Sequence, residues 1–295
     1  MKLIKSARIY SVELPAWQQL KPLLEEHAYR DLEPYEGVYR GFVPVFNDTF
    51  VQPFEGGYAF KVKMGEKILP NSVVAAEMNK RDSSAKGKEK SLLKEEVIID
   101  LIRVAFTKEQ TVLCFYFAKS NTLFVASTNK KLSDAATGCL VKAMGSVKAT
   151  TVYCDSIKQS LTAKIKDWLN SGGFPYFNVE GQIKLKAEGS KAVSIKCEDL
   201  SDSDAAITET LGQNSEVIEL ALSNDSVFFR IDKDFLLKGI SFLETVEDEP
   251  EFEDEIEAFN HYAAMQTLLL NDITENLKSM FEYEKGSIDF DEGLL

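Results

Sequence analysis

The sequence has few of the residues that build metal sites or disulfide scaffolds. Its 295 residues include four cysteines, none in a C-x-x-C pair, and only two histidines, His27 and His261. Structural zinc sites need several clustered ligands at short spacings, which this chain does not offer. We expect Cys114, in an apolar strand run, and Cys139, in an apolar helical stripe, to be buried thiols. Such cysteines fit a reducing cytoplasm.

Long apolar runs and catalytic signatures are also missing. No segment reaches the length of a membrane span, and the N-terminus lacks the apolar region of a signal peptide. The sequence has no Walker loop, no G-x-G-x-x-G after a strand, no G-x-S-x-G and no H-E-x-x-H. We therefore expect no catalytic residue, no metal and no cofactor, and a protein that is not an enzyme. Carboxylates are abundant, so a nuclease that grips metal ions with clustered acids is kept as a third hypothesis.

Charge is distributed unevenly along the chain. The formal net charge is −13, with 27% charged and 44% hydrophobic residues. From Lys61 to Lys148 there are 16 Lys and Arg against 9 Asp and Glu, a local net of +7. From Glu244 to the end there are 16 acids and two bases, a net of −14. Because DNA contact depends on local potential and not on total charge, the uneven distribution keeps DNA binding possible.

Hydrophobic periodicity predicts an α+β protein with mixed, mostly antiparallel sheets. In the first half we expect, in order, an N-terminal strand, a helix around Pro15–Ala28, a loop-rich stretch containing Pro34, Pro44 and Pro53, a strand over 57–64, a helix over 70–81, an exposed cationic loop or helix tip over 82–90, and a helix capped by Ser91. A polar turn is predicted at Thr107–Gln110.

The second half alternates hairpins and helices. We expect a hairpin of Thr111–Ala118 and Thr122–Thr128, a helix from Ser133 ended by Gly145, a helix starting at Asp155 or Ser156, strands within 176–197, a capping box of Ser201 and Asp204, a hairpin of Glu216–Ser223 and Ser226–Ile231, and a long acidic helix from Glu251 to about Glu282 with Ile256 on its inner face. These elements suggest three subdomains: residues 1–72, an N-terminal α/β part; 73–150, a central part with the cationic tip and a hairpin; and 151–295, a C-terminal α/β part with the acidic helix.

Several motifs occur in an order that resembles the RdgC family. Glu66–Pro70 reads E-K-I-L-P, a hallmark of that family. A cationic segment then precedes Ser91–Val97, which is similar to the family's S-L-K-D-E-V stretch. Arg103–Phe106 resembles the family's R-A-F motif, with either one residue inserted between Arg and Ala or a shifted Arg. The similarity extends over nearly the whole chain. One departure is Lys196-Cys197-Glu198, where the family has basic and amide residues, and it would weaken a DNA contact there.

The resemblance implies a function that composition does not show. Family members form a ring-shaped dimer of elongated, curved subunits whose basic central hole encloses duplex DNA, bind without sequence preference and restrain the recombinase RecA. The implied partners are double-stranded DNA and a second copy of the chain, with no membrane, and the implied location is cytoplasmic and nucleoid-associated. Our candidate phosphate contacts are Lys80, Arg81, Lys86, Lys88, Lys90, Lys94, Lys119, Lys130 and Lys131. The alternative for each is an ordinary solvated side chain.

Two further alternatives stay open. Phe106 matches an aromatic residue near a dimer contact of the family, but plain core packing would also explain it. The acidic composition, together with Glu198, also suits a protein that keeps this fold and binds a partner protein, for example by mimicking DNA. Salt-dependent DNA binding would distinguish the first hypothesis from this second one.

Overall fold

The computed structural model describes residues 3–145, 149–151, 160–171, 173–187, 189, 191–197, 200–212, 215–243 and 252–282. This part of the chain contains twelve strands, seven α-helices and a short 3-10 helix at Leu200–Ser203. The strands are β1 Ser6–Val12, β2 Val38–Val43, β3 Val51–Phe54, β4 Gly57–Lys67, β5 Thr107–Phe117, β6 Thr122–Val125, β7 Ala149–Thr151, β8 Asn178–Ala187, β9 Val193–Lys196, β10 Ser215–Ser223, β11 Val227–Asp232 and β12 Leu237–Phe242. The helices are α1 Trp17–Glu26, α2 Asn71–Arg81, α3 Gly87–Val104, α4 Lys130–Met144, α5 Leu161–Ser171, α6 Asp204–Gly212 and α7 Glu255–Met280.

The strands form one antiparallel sheet in the order β2-β4-β5-β6-β1-β12-β11-β10-β8-β9. Strand β3 pairs with β4, and β7 pairs with β1. The two halves of the sheet meet at β1. Ser6 and Ala7 of this strand pair with β12, and Arg8–Ser11 pair with β6. The predicted α+β class with antiparallel pairing is therefore confirmed.

Helices cover the two faces of the sheet unequally. On one face, α5, α6 and α7 bury a large core that runs through both halves of the sheet. On the other face, α1 and α4 bury a second core over the N-terminal half only. Over the C-terminal half, no helix of the described part packs on that second face, which is lined with polar side chains. We call it the open face.

Helices α2 and α3 form a hairpin that leaves the sheet at the end of β4 and returns at the start of β5. Its small core consists of Val74, Met78 and Val97, supported by partly buried neighbours. We call this hairpin, residues 71–104, the tip. Because its core is separate from the two sheet cores, few apolar contacts anchor it to the rest of the chain.

Two helices begin earlier than the sequence suggested. Helix α3 begins at Gly87, whose φ of +56° lies in the left-handed region that glycine adopts readily, so Ser91 is not its cap. Helix α4 begins at Lys130, because the side chain of Asn129 accepts a hydrogen bond from the Lys131 amide. Ser133 is therefore a buried residue inside the helix and bonds back to the Asn129 carbonyl.

Some strands also differ from expectation. The proline-containing stretch predicted as loop includes β2 and β3, and Pro53 fits in β3 because that strand pairs only with β4. Thr107–Gln110 belongs to β5 and is not a turn, since it pairs with the end of β4. Strand β12 was not predicted. The expected helix start at Asp155 or Ser156 and the side chains of Ser201 and Asp204 lie outside the described residues.

Other expectations are confirmed. Helix α2, both hairpins and the long C-terminal helix are present, and Asp254 caps α7 by accepting from the Glu257 amide. Cys114 and Cys139 are buried, and burial raises the pKa of the Cys139 thiol to about 11. Ile256, predicted to face inward, is exposed at the start of α7. Among the described helices, none has the length and apolar character needed to cross a membrane.

Candidate nucleic-acid interface

The tip gathers exposed lysines at the beginning of α3. Lys86, Lys88, Lys90 and Lys94 are all exposed, and none forms an ion pair with a described residue. Lys90 and Lys94, one turn apart, border a groove of about 420 Å³ between α2 and α3. Cations at a helix N-terminus oppose the helix dipole and cost stability. Lys88 and Lys90, in the first turn of α3, therefore do not stabilise the helix through its dipole.

Two other candidates on the tip are neutralised by neighbours. The guanidinium of Arg81 lies 2.8 Å from the Asp100 carboxylate and 3.2 Å from that of Glu77. The hydrogen bonds that Arg81 donates to the carboxylates of Asp100 and Glu77 raise the pKa of Arg81. Lys80 lies 3.7 Å from Glu77, although it remains exposed. Arg81 thus ties α2 to α3, and its charge is less available to an external phosphate than that of Lys88.

The remaining predicted lysines lie at opposite ends of the sheet. Lys130 and Lys131 begin α4, and Lys131 forms an ion pair with Glu66 near the end of β4 from which the tip projects. Lys119 lies between β5 and β6, at the other end of β5. An eleven-residue strand such as β5 spans about 35 Å. The structure thus brings Lys130 and Lys131 close to the base of the tip and separates Lys119 from it.

Phe106 is exposed at the junction of the tip and the sheet. Its side chain is 84% accessible, so core packing does not explain it. Val104 and Ile68 are also exposed beside it, and the Ile68 amide donates to the Phe106 carbonyl over 2.8 Å. Leu92 and Ile99 add exposed apolar surface along α3. Apolar side chains grouped in this way are typical of a protein interface.

The open face carries a second set of cations that sequence reasoning missed. Lys184 on β8 and Lys238 on β12 lie 2.6 and 3.3 Å from the carboxylate of Glu219 on β10. Arg230 on β11 lies 3.3 Å from the same carboxylate and extends over Gly239, where a Cβ atom would meet its Nη2 at 3.0 Å. The three cations come from three different strands, β8, β11 and β12. Only the strand order brings them together.

The carboxylate of Glu219 neutralises part of the positive charge of this cation cluster. Burial alone raises its pKa, but hydrogen bonds and charges of Lys184 and Lys238 outweigh that effect, so the pKa lies below its usual value. Lys238 also lies 2.6 Å from Asp232. The cluster therefore holds three cations and two carboxylates, a net charge of +1.

The described residues contain no group of three His, Cys, Asp or Glu side chains placed to hold a metal ion. Some acids of this part form ion pairs, such as Glu36 with Arg30 and Glu275 with Lys278, and others lie in the first turn of α7.

These features define an α+β protein with a projecting helical hairpin that presents exposed lysines without described acidic partners. Comparison with protein families matches residues 3–284 to the family described as "Putative exonuclease, RdgC". The chain belongs to the RdgC family, which confirms the resemblance seen in its motifs.

Curated relatives cover most of the chain at low identity. A protein of Psychromonas ingrahamii is 26% identical over 226 residues, covering 72% of this chain and 73% of its own length. One of Haemophilus influenzae (strain PittGG) is 25% identical and covers 77% of this chain and 78% of its own length. One of Neisseria meningitidis (strain FAM18) is 24% identical and covers 93% of this chain and 94% of its own length. All three are named recombination-associated protein RdgC, whereas the family description names an exonuclease.

Proposed function

We propose that this chain binds double-stranded DNA without reading its sequence, as a two-fold dimer that closes into a ring, and that it restrains RecA-dependent recombination on the nucleoid. The observation that carries the proposal is the group of exposed tip lysines without acidic partners in the described part. Lysines bind phosphates as point charges, and phosphate contacts position a protein without specifying a sequence. The names of the relatives support a role in recombination.

The exposed apolar surface around Phe106 supports self-association. A two-fold dimer uses the same patch on both subunits, so a self-complementary apolar surface suffices. The patch lies at the base of the tip, so pairing there would bring two sets of tip lysines near each other. Acidic residues elsewhere, such as those of α7, would then discourage DNA from binding to the outer surface.

The test is binding of a fluorescent duplex across a salt series without metal, on protein whose mass in solution is measured. The variant Lys86→Gln/Lys88→Gln removes two unpaired charges from the tip. The matched control, Lys21→Gln/Lys278→Gln, removes two lysines that form ion pairs with Glu25 and Glu275 on other helices. We expect the tip variant to lower both the affinity and the salt dependence, and the control to change neither.

Equal effects of the two variants would contradict the assignment of the tip, because they would show a response to total charge only. Absence of DNA binding by the unmodified chain at low salt would contradict the proposed function itself. In that case the acidic chain would have to act on a protein partner, as in the second hypothesis.

A further inference from the structure

A cavity of about 670 Å³ lies in the C-terminal half, among α5, α6, β8, β10 and the turn after β11. Three lysines line it, each from a different element: Lys166 from α5, Lys186 from β8 and Lys233 from the turn. One carboxylate, that of Glu216, faces the same space, and Leu211 and Ile218 supply apolar wall. In the sheet order β10 is five strands from β5, so the cavity is separate from the tip.

Hydrogen bonds fix the walls of this cavity. The Val217 amide donates to Thr162 Oγ1 over 2.9 Å, which joins β10 to α5. The Lys233 amide donates to the Ile218 carbonyl over 3.3 Å, which joins the turn to β10. The carboxylate of Asp232 holds the turn by accepting from the Asp234 and Leu236 amides over 2.9 and 3.1 Å. The walls formed by α5, β10 and the turn are thus held in place without a ligand, which reduces the ordering cost of binding.

The charge of the cavity is not balanced within the described part of the chain. None of Lys166, Lys186 and Lys233 forms an ion pair with a described residue, whereas Lys184 and Lys238 nearby do. Among the described lining residues, three ammonium groups and the single carboxylate of Glu216 give a net charge of +2. The three lysines are exposed, and like charges that face one concave space repel each other. An anion with several acceptor oxygens would relieve it.

We propose that this cavity binds a small phosphorylated ligand of nucleotide size, with its phosphates on Lys166, Lys186 and Lys233. A phosphate group offers several oxygens to separate ammonium donors, which a single carboxylate cannot do as well. The volume lies within the range of about 300–1,000 Å³ that small-molecule sites occupy. Leu211 and Ile218 take the less polar part of the ligand. A duplex presents its phosphates on a convex surface and would reach only the rim of such a cavity.

Calorimetric titration of the full chain with ADP and with inorganic pyrophosphate, at low salt and without metal, tests this site. We expect both to bind and ADP to bind several-fold more tightly, because only ADP reaches Leu211 and Ile218. The variant Lys166→Gln/Lys233→Gln should weaken ADP binding at least tenfold, through loss of two charge-assisted hydrogen bonds. Glu216→Gln should tighten it a few-fold by removing a repulsive carboxylate.

The tip variant Lys86→Gln/Lys88→Gln is the matched control, since it removes the same charge far from the cavity. It should leave ADP binding unchanged while lowering affinity for duplex DNA, so failure of the cavity assignment can be distinguished from failure of DNA binding. Absence of binding by both ligands would overturn the proposal. So would equal weakening by the two double variants, or a cavity variant that alters duplex binding only. Equal affinities for ADP and pyrophosphate would overturn the role given to the apolar wall.

Discussion

At the residue scale, the carboxylate of Glu219 holds three cations from three strands together. Replacing it in Glu219→Gln leaves Lys184 and Arg230 without their described counter-charge, while Lys238 keeps its ion pair with Asp232. We expect a loss of about 1–3 kcal/mol in the free energy of unfolding at neutral pH, as for a half-buried charge network that loses one member. Urea unfolding measures it, and Glu209→Gln on the exposed face of α6 is the control, expected to change stability by less than about 0.5 kcal/mol.

The same carboxylate gives a pH dependence whose sign follows from its pKa. The pKa of Glu219 is lowered in the folded state, so its contribution to stability is present above the unfolded pKa and is lost as pH falls through the folded pKa. The difference between the unmodified chain and Glu219→Gln should therefore be full at pH 7 and shrink below pH ~4. A difference that stayed constant down to acid pH would contradict the charge network.

Arg81 and Lys88 should respond differently to neutralisation, although both belong to the tip. Arg81 already contacts Glu77 and Asp100, so Arg81→Gln should leave the salt dependence of DNA binding nearly unchanged and instead loosen α2 from α3. Lys88→Gln should reduce the slope of log affinity against log salt by about 0.9, the value for one lost phosphate contact. If Arg81→Gln reduced the slope and Lys88→Gln did not, the ion pairs of Arg81 would not persist in the complex with DNA.

At the element scale, the junction of tip and sheet should control self-association. Phe106→Glu places a charge in the exposed apolar patch, and because the side chain is 84% accessible, the fold should keep its stability within about 0.5 kcal/mol. Sedimentation equilibrium should show a shift from dimer toward monomer. The control is Tyr35→Ser, which removes an exposed aromatic side chain elsewhere. Unchanged mass for Phe106→Glu would exclude this patch as the dimer contact.

Helix α7 is attached to the N-terminal strand region by a buried hydrogen bond as well as by its apolar stripe. The Ile4 amide donates to Gln266 Oε1 over 2.8 Å, and Gln266 is fully buried. Gln266→Leu would leave that amide buried without a partner, at a cost of about 1–3 kcal/mol. Thermal or urea unfolding measures the loss. A neutral or stabilising effect would show that α7 depends on apolar packing alone.

Sequence patterns predicted the elements better than their ends. The strong periodicity of α7 and the hairpin of β5 and β6 were recognisable because packing and turn chemistry agree there. Helix α3 was placed too late, since a glycine with positive φ starts it and no capping side chain marks the position. Strands β2 and β3 were missed because prolines and glycines around them suggested loop, and pairing with β4 overrode that local preference.

At the scale of the whole molecule, the sequence predicted the local cationic cluster but not the distributed one. Lys86, Lys88 and Lys90 are neighbours in sequence, so their proximity was evident. Lys184, Arg230 and Lys238 are far apart in sequence and meet only because β8, β10, β11 and β12 are adjacent. The cavity lysines depend on strand order in the same way. Predicting a charged site that is assembled from several strands requires the order of the strands in the sheet, and a single sequence does not give that order.

The central claim is tested most directly by measuring the affinity of the protein for several DNA duplexes of unrelated sequence across a salt series. The mass of the protein in solution is recorded in the same buffers. A dimer neutralising about six phosphates should show log affinity falling with log salt at a slope of roughly −5, whatever the sequence of the duplex. Loss of the tip lysines should flatten that slope. A monomeric protein that shows no DNA binding at low salt would contradict this proposal. So would an affinity that changes with the base sequence of the duplex and not with salt concentration.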